Sequence, residues 1–312
     1  MNKVFDYSAN KVKFLLLPVI IIVLGIVMYF VHGGFNFDVE FMGGTRMQID
    51  LGTEFKNDEI EKLVEDATGL DAIVQTGSAS NVAVIKLPAA ETPEMDEEVK
   101  SNALKAVKDK YSLDDEALLS AQSAAPSFGK EVQGKALSFT LLAILFILIY
   151  IIIRFDWRSG LMAIFALALN VLVMAAVYAI TNIAINTTFI AAMLTVVGYS
   201  INNTIVIFDR IRENMKSRRR AESISEMTNR SIQETLGRTI NSTITTLVTI
   251  VLIYILGVST IKQFALPLII GIVIGAYTSI FVASTFWASW KEAEAEARAQ
   301  AAAERKTTKK NK

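Results

Sequence analysis

Residues 198–214, GYSINNTIVIFDRIREN, set the amides Asn202 and Asn203 beside Ser200 and Thr204 within an apolar run, then pass into charge at Asp209 and Arg210. Polar groups at membrane depth cost free energy unless they face protein or a water-filled path. The stretch is therefore read as a functional candidate, with plain hydrogen bonding between helices as the alternative. A second polar run, residues 238–250 (RTINSTITTLVTI), adds Arg238 and a series of hydroxyls. At helical spacing Ser242, Thr245, Thr246 and Thr249 share one face. If the two segments are antiparallel neighbours, their cytoplasmic halves meet at similar depth. Asn203, five residues before Phe208, then lies ~7–8 Å inside the cytoplasmic end. A polar face on each helix predicts a hydrated, ion-coupling seam of Asn202, Asn203, Thr204, Arg238, Ser242, Thr245 and Thr246. The plainer alternative is helix-to-helix hydrogen bonding with Arg238 snorkelling to the interface.

Titrating chemistry is scarce. No acidic residue lies inside the apolar segments, and Asp209 stands at a boundary. A proton carrier normally needs Asp, Glu or His, which an asparagine cannot replace. The only histidine, His32, edges the first apolar segment, and there is no cysteine, so neither a thiolate nor a disulfide enters. No catalytic residue, metal or cofactor is expected, and the chain is not read as an enzyme.

The elements that must position these residues follow from hydropathy. With 52 % hydrophobic residues over 312 and a mean hydropathy of +0.41, the chain is too apolar for a soluble protein of its length. Residues 14–32 are long enough to span a bilayer, lack a small-x-small cleavage site after them, and are read as an uncleaved first helix. Five further apolar segments follow, at about 137–153, 160–180, 187–208, 240–257 and 264–287. Basic residues cluster before the first (Lys3, Lys11, Lys13), after the second (Arg154, Arg158), after the fourth (Arg210, Arg212, Lys216, Arg218, Arg219, Arg220) and in the tail (Arg305, Lys306, Lys309, Lys310, Lys312). By the positive-inside rule, six transmembrane helices with both termini cytoplasmic are expected. The basic runs lack interleaved aromatics, so topology anchoring and contact with the lipid bilayer are expected of them rather than nucleic-acid binding.

Residues 33–134 fall on the far side. A glycine turn precedes a strand over 43–51, a helix covers 57–67 with Asn57 as N-cap, strands cover 72–76 and 82–87, a second helix covers 93–110, and a last strand covers 117–121. That β-α-β-β-α-β order predicts an extracytoplasmic α+β ferredoxin-like domain. Its many carboxylates, among them Glu97, Glu98, Asp114, Asp115 and Glu116, are read as a solvated face. The expected organisation is a cytoplasmic N-terminus (1–13), the first helix (14–32), the domain (33–134), a five-helix bundle (135–290) and a charged cytoplasmic tail (291–312).

With these elements in place the chain resembles the SecF family, smaller partners of SecD in the bacterial Sec export machinery and members of the resistance-nodulation-division superfamily. The matching motifs are VEFMGGT (39–45, including Gly43, Gly44 and Thr45), VGYSINNTIVIFDRIREN (197–214, including Gly198, Tyr199, Ser200, Asp209 and Arg210), RTINSTITT (238–246) and GIVIGAYTSIFVAS (271–284). The resemblance implies a subunit of the bacterial cytoplasmic membrane. It would pair with SecD and help unfolded preproteins through the SecYEG translocon on the proton-motive force. In that family the place of Asn203 is typically an Asp implicated in proton transport, and the arginine matching Arg238 is also implicated. The exchange implies that SecD supplies the proton site. Glu40, where the family usually has Asp, is a milder departure. Two alternatives remain: a half-size small-molecule exporter of the same superfamily, and a sodium-coupled form.

Overall fold

The computed structural model describes residues 5–310 apart from 78, 91, 125, 155 and 219–221. Lys3, Arg219, Arg220 and Lys312 of the expected basic clusters lie outside the described residues. Among the described residues, five helices are long and apolar enough to cross a membrane. They comprise α1 (Lys11–Val31), α6 (Trp157–Thr181), α7 (Thr187–Ser217), α8 (Ile224–Leu256) and a last, composite one. The composite helix is α9 (Ser259–Tyr277), a π-helical stretch (Thr278–Ala283) and α10 (Ser284–Lys310). Helix α5 (Pro126–Arg154) carries the shorter apolar run Ser138–Ile151.

Between α1 and α5 lie the one-turn helix α2 (Val39–Met42), β1 (Gly44–Asp50), α3 (Asn57–Thr68), β2 (Ile73–Thr76), β3 (Val82–Leu87), α4 (Pro93–Tyr111) and β4 (Leu118–Ala124). The four strands form an antiparallel sheet in the order β2-β3-β1-β4. One sheet face buries Met47, Ile49, Ile85 and Leu87 against Ile60 and Val64 of α3 and Ala103 and Val107 of α4. These apolar positions recur at period two in the strands and at i, i+4 in the helices, the spacing each element needs to present one face. Asn57 is the first residue of α3 rather than its cap. Lys56 holds the cap position with no side-chain bond, and the helix start rests on backbone bonds to the Lys56 carbonyl.

The glycines of the 39–45 motif have a steric cause. Gly43 closes α2 at φ +81°, and Gly44 enters β1 at φ +111°. A Cβ on Gly44 would sit 2.2 Å from the Leu87 carbonyl oxygen, so only glycine lets β1 lie against β3 here.

Polar contacts seat the sheet on one end of the helices. Phe37 bridges in parallel to Ile185 in the α6–α7 connection, Asn36 donates to the Asn182 carbonyl at 2.8 Å, and Glu40 accepts from Thr187 N and Oγ1 at 2.9 and 2.6 Å. At the centre a fully buried Asp38 pairs with Arg46 at 2.9 Å. The Gln263 carboxamide of α9, turned with its oxygen toward Arg46, accepts from both terminal guanidinium nitrogens at 2.8 and 3.0 Å. Lys86 is buried beside them, donates to Asn36 Oδ1 at 2.8 Å, and has its pKa lowered by burial, with Asp38 opposing. At the opposite end the N-terminal residues meet α8 and α10. Tyr7 donates to Gln233, Ser8 to Asn229, and Lys11 to Ser289.

Breaking a buried ion pair from one side leaves an uncompensated charge, at a cost of about 3–5 kcal/mol. Asp38→Asn is therefore expected to loosen the seat by that order. Pairing it with Arg46→Met should recover part of the loss, because the guanidinium is then gone while Lys86 stays beside the site. Limited proteolysis across residues 33–43 and thermal unfolding check this, and equal losses in the single and double variants would contradict it.

Candidate functional site

The polar centre is built on α7. Asn186 caps the helix by accepting from Phe189 N at 2.9 Å. Helix α8 begins with a capping box in which Ser223 and Glu226 satisfy each other's backbone N–H. Three contacts fix the antiparallel register of the pair: Tyr199 OH to Thr246 Oγ1 at 3.4 Å, Arg210 Nε to Glu234 at 2.6 Å, and Asn214 Nδ2 to Ser231 Oγ at 2.9 Å. Each step along α7 is matched by one step back along α8, so Asn203 stands level with about Ser242. Tyr199, Asn203, Arg210 and Asn214 fall on one helical stripe, the stripe that meets α8.

Asn203 is buried at 3 % exposure, and its Nδ2 has no partner among the described residues. Thr239 and Thr243, one turn apart on the buried side of α8, have hydroxyls equally without partners. Asn202 and Arg238 are exposed. The hydroxyl face expected to meet α7 is differently turned. Ser242, Thr245 and Thr249 are exposed, and each donates to a carbonyl of its own helix three or four residues back. Half-buried Thr246 does the same while accepting from Tyr199. A threonine can satisfy itself this way within a helix, so spacing alone could not tell which stripe turned inward.

Ser200 and Thr204 face away from α8, into a second polar cluster. Asn170 of α6, wholly buried, donates to Ser200 Oγ at 2.6 Å and accepts from Thr278 Oγ1 at 2.5 Å. Thr204 Oγ1 and Ser279 Oγ share a hydrogen at 2.8 Å, and Ser279 also donates to the Ser200 carbonyl at 3.2 Å. The π-helical stretch supplies Thr278 and Ser279, and such stretches recur at functional positions in helices. Close approach makes the cluster compact. A Cβ on Gly271 would lie 2.4 Å from Val196 Cγ2, and one on Gly275 would lie 3.0 Å from Ser200 Oγ, so this small-xxx-small pair lets α9 reach α7. Asn170 was missed because residues 160–180 read as a plain apolar span. It is the only amide in that span, the same signal that singled out Asn203.

Of the remaining motif residues, Gly198 is exposed with open space about it, and Thr45 lies in β1 with Oγ1 2.9 Å from Ser123 Oγ. Asp209 pairs with Arg154 at the end of α5 and with Arg212 at 3.3 Å. Arg210 bridges Glu213 and Glu234, each at 2.6 Å. Asp209 and Arg210 thus tie helices together at the bundle's charged end. Among the described residues no cluster of His, Cys, Asp or Glu is arranged to hold a metal ion.

Several long apolar helices enclosing an uncharged polar centre, with a small antiparallel sheet seated on one end, define a polytopic membrane protein. Residues 103–293 match the family model described as protein export membrane protein SecD/SecF, C-terminal. The chain belongs to the SecD/SecF family. It is 32 % identical to the protein translocase subunit SecF of Alicyclobacillus acidocaldarius, covering 93 % of this chain and 94 % of that one. It is also 32 % identical to the protein translocase subunit SecDF of Bacillus subtilis, covering 93 % of this chain but 38 % of the relative. The crystal structure of SecDF from Thermus thermophilus superposes with a TM-score of 0.80 at 31 % identity, over 93 % of this chain and 39 % of that one. The chain thus spans about two fifths of the SecDF relatives and nearly the whole of a SecF relative.

The two polar groupings respond differently to loss of their hydrogen-bonding atoms. Asn170→Leu takes the amide from between Ser200 and Thr278 and is expected to cost about 1–3 kcal/mol per group left unpaired. Thr239→Val with Thr243→Val removes hydroxyls that have no partner among the described residues, and should leave stability unchanged or higher. Thermal unfolding of the purified protein in detergent checks the order of the two variants, and the reverse order would contradict the assignment.

Proposed function

We propose that this chain is a SecF-type subunit of the bacterial protein translocase. In this reading six transmembrane helices, α5 among them, place both termini in the cytoplasm. Residues 33–134 form a ferredoxin-like domain on the far side, residues 135–290 the five-helix bundle, and residues 291–312 a charged cytoplasmic tail. The contacts among the N-terminus, the start of α8 and α10 at one end of the bundle, and the sheet domain at the other, support that orientation. Its location is then the bacterial cytoplasmic membrane. The work is binding and conformational change rather than catalysis, performed with SecD on unfolded preproteins leaving SecYEG.

The observation that carries the reading is the seam between α7 and α8. Asn203, Thr239 and Thr243 bury polar atoms that have no partner among the described residues, at membrane depth, which is favourable only where water or protein can reach them. Beside them the exposed amides Asn202 and Asn241, in line with the self-satisfied hydroxyls of Ser242 and Thr245, form an outward polar strip, and an amide at that depth calls for a protein cover rather than lipid. The cover proposed is SecD. One charge crossing 100 mV releases ~2.3 kcal/mol, enough to bias a two-state movement. Since Asn203 does not titrate, the proton is carried by a SecD carboxylate brought to this strip, with Arg238 as its neighbour.

The test is a deletion strain complemented with the wild-type chain or Asn203→Asp. Deletion should slow export, with precursors accumulating in the cytoplasm, and the wild-type chain should restore it. The Asp variant, placing a titrating group in the seam, should make export or proton leak depend on pH. Normal export kinetics in the deletion strain would contradict the proposed function.

A further inference from the structure

Helix α7 is held in opposite ways on its two sides. Toward α6 and the π-helical stretch, Asn170, Ser200, Thr204, Thr278 and Ser279 are all buried, and each is hydrogen-bonded to another of the group. Toward the membrane half of α8, the polar contact among the described residues is the 3.4 Å one between Tyr199 and Thr246, and Asn203, Thr239 and Thr243 keep buried groups that have no partner among them. A buried, satisfied network resists separation because each group would be orphaned. A seam whose groups are already orphaned loses nothing by opening and gains water partners.

Helix α8 is itself divided. Its first three turns are anchored by the capping box, by Asn229 to Ser8, by Ser231 to Asn214, by Gln233 to Tyr7 and by Glu234 to Arg210. Gly237 follows, exposed, with nothing but its own stretch of helix within 4 Å of the place a Cβ would take. Beyond it only 11 % of the most apolar stretch is buried, against 44 % in α7 and 50 % in α6. Helix α1 is as little buried, but its Gly25 lies so close to α6 that a Cβ there would sit 2.4 Å from that of Ala176. Glycine inside a helix is its weakest backbone link and a recurrent site of bending.

We propose that Asn170 is a positioning residue that fixes α7 as the stationary wall of the seam, and that the membrane half of α8, pivoting at Gly237, is the wall that moves. The inference rests on the reading of the seam as the coupling site and adds which of its walls is driven. The π-helical stretch belongs to the fixed side, where its hydroxyls hold Ser200 and Thr204 and so keep the Asn203 face turned to α8.

The absence of cysteine makes paired substitutions clean. Thr204→Cys with Ser279→Cys, where the hydroxyls are 2.8 Å apart, closes a disulfide across the fixed side. Tyr199→Cys with Thr246→Cys is bridged across the seam by a short, reducible bis-methanethiosulfonate. Export of a secretory precursor is followed in spheroplasts whose only copy is the full-length variant, before bridging, after bridging and after reduction. The disulfide should change the rate less than twofold, and the seam bridge should lower it at least tenfold, reversibly. A seam bridge formed in high yield without slowing export, or a disulfide that slows it as much, would overturn the moving-wall assignment. For Asn170, replacing it together with its two partners (Asn170→Leu, Ser200→Ala, Thr278→Val) removes its bonds to Ser200 and Thr278 without orphaning either, and leaves the Thr204–Ser279 contact in place. The yield of the seam bridge, read on a gel, should fall at least threefold as α7 loses its fixed rotation, and an unchanged yield would overturn the positioning role. That yield is read without any export assay, so it stands or falls separately from the proposed function.

Discussion

Inside a bilayer no water is at hand to satisfy a stray hydroxyl or amide, and the arrangement of α6 to α10 follows from that constraint. Three solutions coexist within a few turns of one another. Asn170, Ser200, Thr204, Thr278 and Ser279 satisfy each other across three chain segments. Ser242, Thr245 and Thr249 satisfy themselves on the carbonyls of their own helix, and so can face outward. Asn203, Thr239 and Thr243 are buried with atoms unsatisfied among the described residues. A buried group of that kind calls for an explanation in terms of function, and the seam between α7 and α8 is where the three fall together.

The seat of the sheet and the polar centre are joined by one helix. Helix α9 starts beside the Asp38–Arg46 pair through Gln263, runs past Val196 and Ser200 at Gly271 and Gly275, and ends in the π-helical stretch. A tilt of α9 would register at both ends. The junction at the sheet combines these polar and charged contacts with an apolar one, in which Phe41 of α2 packs with Met174, Tyr178, Ile185 and Phe189.

Much of the fold was legible because its determinants are local. The segments on either side of residues 77–81 marked β2 and β3, the Pro93 start marked α4, and long apolar runs marked the helices but not their full length, since α5 begins at Pro126, α7 runs on to Ser217 and α8 begins at Ile224. The glycine turn at 43–44 was also legible, although its cause, the approach of β1 to the Leu87 carbonyl, needed the folded chain. What escaped were facts of rotation and pairing. Spacing put Ser242, Thr245, Thr246 and Thr249 on one face, but could not say that Thr239 and Thr243 would be the pair turned inward. Asn170 was passed over in an apolar span, although a lone amide there carries the same cost as Asn203. The Asp38–Arg46–Lys86 junction joins residues from a linker and two strands, a convergence that no periodicity encodes.

The account stands most directly on what covers the outward polar strip of α7 and α8. A photo-crosslinking side chain at Asn202, in the membrane of cells producing the full export apparatus, should yield an adduct of this chain with a SecD-type protein. The same group at Leu252, on the exposed apolar face of α8, should yield lipid adducts alone. Lipid adducts alone from Asn202 would mean that the strip faces acyl chains, and would contradict the central claim.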